Sequence, residues 1–122
     1  MFSAMTASRR YSSLSEHTRG AKDLEYEVFL GVTRELSECV AGASEDFPKL
    51  ARVLNKNERL WIEIGTQVAD TDNLLDADLR ARLFYLAEFV SQHTSKVLRR
   101  EAKIGPLLET NIAVLRGLKG TG

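Results

Sequence analysis

The chain has 122 residues and 13.6 kDa, enough for one domain with one modest core and too little for a second. Its 17 Lys and Arg balance 17 Asp and Glu, so no net field draws phosphate backbones or anionic membranes to it, and direct nucleic-acid binding is not expected. The single cysteine, Cys39, has no partner for an internal disulfide, which fits a reducing compartment, with the cytoplasm as the default. The opening residues lack the order of a secretory signal, and no stretch approaches the roughly 20 apolar residues of a membrane span, so a soluble protein is expected.

Residues 1–20 are rich in Ser, Thr and Ala and show little apolar periodicity. They read as a flexible N-terminal tail, mobile unless a partner or the core holds Tyr11 and Leu14. From about Lys22 to Val40, Leu24, Val28, Phe29, Val32, Leu36, Cys39 and Val40 recur at three- and four-residue steps, which predicts an amphipathic helix. Gly42 suits the left-handed conformation that ends helices, Ser44 or Asp46 can cap the next one, and Pro48 falls in its first turn. The second helix carries Phe47, Leu50, Leu54, Asn57, Trp61, Ile64 and Val68 on one stripe down to about Ala69.

The run Asp70-Thr71-Asp72-Asn73 signals a turn, and Asp76 can cap a third helix with Leu79, Leu83, Leu86, Val90, His93 and Val97 along its apolar stripe. Lys96, Arg99, Arg100 and Lys103 fall in the last turns of that segment, where a helix dipole favours cations. Gly105-Pro106 ends it, and a final helix runs from about Leu107 to Leu118 with Leu108, Ile112, Leu115 and Leu118 as its apolar residues. Four helices, short links and no alternating strand pattern predict an all-α fold: a small helical bundle forming one domain over 21–119 behind the tail.

Chemistry is hard to find in this pattern. His17 and His93 lie far apart and lack the close His, Cys or carboxylate spacing of zinc sites, so no metal or other cofactor is expected. His93 falls on an apolar stripe and reads as a packed or hydrogen-bonded structural residue. Cys39 is flanked by Glu38 rather than a cation and reads as a small core residue. No Gly-rich phosphate loop is present, and the carboxylate pairs Asp70/Asp72 and Asp76/Asp78 sit where turns and helix starts use them, so no catalytic residue is assigned and an enzyme is not expected. Asn57 interrupts an apolar stripe and must either fix helix register or face a partner. Trp61, the only tryptophan, follows one turn later on the same face and suits either the core or a partner contact. The basic cluster from Lys96 to Lys103 reads as a solvated helix end, with no interleaved aromatic to stack bases.

Several stretches together resemble one family. They are Glu25-Tyr26-Glu27-Val28-Phe29 with Val32-Thr33-Arg34, Asp46-Phe47 through Leu50-Ala51-Arg52, and Asn57 with Arg59-Leu60-Trp61. Further on come Leu79-Arg80-Ala81, the run from Phe89-Val90-Ser91-Gln92-His93 through Thr94-Ser95-Lys96-Val97-Leu98, and Pro106-Leu107-Leu108 with Asn111 and Gly117-Leu118. In their order and spacing these are similar to the flagellar biosynthesis regulator FlaF of alphaproteobacteria. Asp76 departs from the proline expected in the loop before the third helix, but aspartate still caps. The resemblance implies binding of flagellin and a functional relation with a second regulator, FlbT, in a chain that stays monomeric until a partner binds. On that reading it is a flagellin chaperone or export adaptor coupling flagellin synthesis to secretion, with Tyr11, Asn57, Trp61, His93 and Asn111 as the candidate contact residues. The alternatives are a post-transcriptional regulator that contacts flagellin mRNA directly or through FlbT, and a structural subunit that dimerises through an exposed stripe.

Overall fold

The computed structural model describes residues 14–42 and 46–121, with side chains over 26–42 and 46–117. Among the described residues four helices follow one another: α1 Leu14–Ala41, α2 Phe47–Ala69, α3 Ala77–Leu98 and α4 Gly105–Thr121. No strand occurs among the described residues, so the all-α reading of the periodicity holds. Helix α1 starts at Leu14, before the position that apolar spacing indicates, so 14–20 of the segment read as a tail is helical backbone. Residues 1–13, including Tyr11, lie outside the described residues.

The helix starts obey local rules. Asp46 caps α2, its carboxylate accepting from the Lys49 N–H at 3.0 Å, and Pro48 sits in the first turn. Asp76 caps α3, accepting from the Asp78 N–H at 3.1 Å. The helix ends depart from expectation. Gly42 closes α1 with its N–H bonded to Glu38 O at 3.1 Å, but no described glycine has a positive φ. The left-handed residue is instead Arg100, at φ 63°. There the Glu101 N–H reaches Lys96 O at 2.8 Å and the Arg100 N–H reaches Val97 O at 2.9 Å, the paired bonds of a Schellman stop. Helix α3 thus ends at Leu98, and Arg99, Arg100 and Lys103 belong to the following turn rather than to a helix end. This early stop swings Ile104 and Leu107 inward, where both are buried.

Helices α2 and α3 form an antiparallel hairpin with the largest contact in the molecule, and α1 packs against α2 and α4. The hairpin is tight because Gly65 brings α2 close to α3; a Cβ built there would lie 3.1 Å from Ala87 Cβ. Its loop, residues 70–76, is ordered by side chains. Asn73 Nδ2 donates to Gln67 O at 3.0 Å and Arg80 Nε to Val68 O at 3.1 Å, satisfying the last carbonyls of α2. The core joins Phe29, Leu36 and Cys39 of α1 to Leu50, Val53, Leu54 and Trp61 of α2, Val90 and Val97 of α3, and Ile104 and Leu107. In α4 the buried line runs through Leu107 and Asn111, one residue out of phase with the stripe of Leu108 and Ile112 that apolar spacing indicates. A hydrophobicity count could not find that phase, because its central residue is an asparagine.

Candidate functional site

The polar candidates converge in the core rather than at a surface. Trp61 and Asn111 are both 0% exposed, and Trp61 Nε1–H donates to Asn111 Oδ1 at 2.9 Å. The two Asn111 Nδ2 protons go to Asn57 Oδ1 at 2.8 Å and Thr33 Oγ1 at 3.1 Å, and the Thr33 hydroxyl donates to Phe29 O at 2.7 Å. One amide of α4 thereby joins α1 and α2, with every hydrogen-bonding atom of its head group used. The edge of Phe29 packs against Trp61, their ring centroids 5.7 Å apart at 67°. Trp61, Asn57 and Asn111 are therefore packed inside the bundle rather than displayed on its surface. The reason is physical: a burial stripe with one tryptophan and two asparagines can close on itself when the partners lie on three different helices.

Two buried atoms, Asn57 Nδ2 and Thr94 Oγ1, have no protein hydrogen-bond partner. Thr33 and Thr94, both buried, are the residues that sequence reasoning missed, because threonine at an apolar-phase position carries no hydrophobic signal. His93 is half-buried at the α3–α4 corner, where its Nε2–H donates to Lys103 O at 2.7 Å and its ring stacks on Phe89 at 5.3 Å. Cys39 is buried, and burial pushes its thiol above the ordinary range, with the Lys49 charge pulling the other way. No cluster of His, Cys, Asp or Glu among the described residues could hold a metal ion.

What the surface offers is apolar. Among the described residues, exposed large side chains concentrate on the α2–α3 hairpin: Ile62 at 55%, Phe84 at 42%, Tyr85 at 70% and Leu74 at 73%, with Leu75 and Leu79 also exposed. A shallow groove runs between the two helices, with Gly65, Ala69 and Ala87 as small residues among its lining and Ile62 and Phe84 as its large apolar ones. Glu88 and Ser91 also line it, and Ser91 Oγ donates to Glu58 at 3.1 Å. A second depression, lined by Ala81, Arg82, Tyr85 and Leu86, lies along α3. Single exposed apolar residues are ordinary, but Ile62 and Phe84 share one groove, and exposed apolar surface gathered in a groove is of the kind that marks an interaction site. Sequence spacing could not single it out, since Leu79 was counted with the core stripe and Ile62, Phe84 and Tyr85 with no stripe.

The basic residues at the other end are partly engaged. Arg99 pairs with Glu101 at 3.1 Å, and the Arg100 guanidinium lies over the Phe47 ring at 4.5 Å. No described helix is long and apolar enough to cross a membrane.

No curated protein and no solved structure matches the chain. A sequence profile described as flagellar protein FlaF matches residues 7–118, a span that takes in α1 to α3, most of α4 and every stretch on which the resemblance rests. The chain belongs to the flagellar protein FlaF family.

Proposed function

We propose that this protein is a non-enzymatic flagellin-binding adaptor that covers an amphipathic flagellin segment before export, using the exposed face of the α2–α3 hairpin. The observation that carries the reading is the shallow groove between α2 and α3, with exposed Ile62 and Phe84 in its lining, on a hairpin that also exposes Leu74, Leu75, Leu79 and Tyr85. Flagellin termini are amphipathic segments that become helical coiled coil in the filament, so their apolar faces invite premature association before export. A groove between two packed helices accepts such a segment by helix-in-groove docking, with small residues on its floor and apolar residues on its walls. Titration of the adaptor by unexported flagellin, away from FlbT or another regulator, would then report the unexported pool by mass action.

Calorimetry with purified flagellin tests this. The intact chain should give a complex at tens of micromolar or tighter, about 6 to 8 kcal/mol of binding free energy, and Ile62→Asp with Phe84→Asp should abolish it without unfolding the bundle. Absence of any complex with the intact chain removes the reading. Direct contact with messenger RNA has less support, because Arg99 and Arg100 already have partners within the chain. It predicts an affinity that falls steeply with salt, which filter binding would reveal.

A further inference from the structure

We infer that the core of this bundle contains an internal water site between Asn57 and Thr94, where one water molecule accepts from Asn57 Nδ2 and bonds Thr94 Oγ1, tying α3 into the polar network of the other three helices.

Among the described residues four polar side chains are buried, and each helix supplies one: Thr33 from α1, Asn57 from α2, Thr94 from α3 and Asn111 from α4. Two contacts set the register of the antiparallel α2–α3 hairpin. Ser91 bonds Glu58, and a Cβ built on Gly65 would lie against Ala87 Cβ. Asn57 is eight residues from Gly65 and Thr94 seven from Ala87, about 12 and about 10 Å of helix, so the two share one level. The bonds from Asn111 to Thr33 and Asn57 bring α1 and α4 to that level as well. The levels on either side are apolar, with Trp61 and Val90 toward the hairpin loop and Leu54 and Val97 away from it. The polar side chains thus form a single layer inside a hydrophobic core, where a polar group without a partner is costly.

Donors and acceptors fix the orientation of both amides in the layer. The Trp61 indole N–H can only donate, so the Asn111 atom that receives it is Oδ1. Asn111 Nδ2 then points to Asn57 and Thr33, and the Asn57 atom that receives it is Oδ1 in turn. Asn57 Nδ2 is left buried, with two N–H donors and no protein acceptor. Thr33 sends its hydroxyl proton to Phe29 O, four residues earlier, whereas Thr94 Oγ1 has no protein partner. A group that only donates and a hydroxyl that both donates and accepts, buried at one level, are the two partners that a single water oxygen bridges. Internal waters occur at about one per 27 residues and bond about two to four polar groups, so one such site is ordinary for a chain of this length. The protein's own bonds in this layer join α1, α2 and α4; the water adds α3, beside the Glu58–Ser91 contact at the end of the groove.

The test is magnetic relaxation dispersion of the water oxygen in solutions of the full chain, which counts waters held longer than the protein tumbles and ignores exchangeable protein protons. The inference requires Thr94→Val, which keeps the shape and removes the hydroxyl, to lower the dispersion amplitude by that of one water per chain. Thr94→Ser, which keeps the hydroxyl, must preserve the amplitude of the intact chain. Equal amplitudes for the intact chain and Thr94→Val, or an equal loss in Thr94→Ser, overturn it. A second measurement needs no variant: in the isotope-labelled intact chain the Asn57 side-chain amide protons must show a rotating-frame cross-peak to water with the sign of direct dipolar contact. Absence of that peak, the result of a direct Asn57–Thr94 hydrogen bond, overturns the inference too. No guest is present in either experiment, so their outcome is separate from that of the flagellin titration.

Discussion

Asn111 binds Trp61, Asn57 and Thr33 at once from a position with no exposure. Asn111→Leu should therefore orphan the Trp61 N–H and the Asn57 carbonyl and cost about 2 to 6 kcal/mol, at about 1 to 3 per buried unsatisfied group. Urea denaturation followed by Trp61 fluorescence checks this, since the sole tryptophan reports the same site. Arg100 poses the opposite balance. A non-glycine in the left-handed region costs about 1 kcal/mol, while its stacking over Phe47 returns about 0.5 to 1. Arg100→Gly should thus leave the urea midpoint nearly unchanged, and Arg100→Ala, which keeps the strain and loses the stacking, should lower stability by about 0.5 to 1 kcal/mol. The raised thiol pKa of Cys39 means that the unfolded chain ionises first as pH climbs. Its contribution is complete below the thiol's unfolded pKa and fades as pH rises through the folded one, a loss that Cys39→Ser should remove from the alkaline limb of a stability profile.

At the scale of elements, the hairpin depends on one close approach. Gly65→Val would force α2 away from Ala87 and should cost about 1 to 3 kcal/mol by overpacking. Gly31 lies in α1 with nothing within 4 Å of a built Cβ, so Gly31→Ala should stabilise by up to about 1 kcal/mol. Measured side by side in urea, the two separate a glycine that packing requires from one that it does not. Helix starts were legible because capping is local: Asp46 and Asp76 do their work within three residues. Helix ends were less so. The stop of α3 relies on an arginine in a conformation that glycine prefers, and the start of α1 lies in a stretch with little apolar periodicity.

At the scale of the molecule, the bundle closes its polar network and leaves an apolar face outside. Ile62→Asp with Phe84→Asp should abolish flagellin binding in the calorimeter. Both residues lie outside the buried core, so the thermal midpoint should move little.

The sequence alone determined four amphipathic helices, the caps of two of them and, through its matching stretches, the family, because each of these rests on spacing along one chain. Which stripe positions face inward, and which residues share hydrogen bonds, only the tertiary structure decided. Asn57, Trp61 and Asn111 stand out by chemistry in the sequence, yet a lone polar residue on a stripe looks the same whether its partner is another protein or another helix. The exposed face is likewise a remainder, the apolar surface left after α1 and α4 have taken their places, and no local pattern records it.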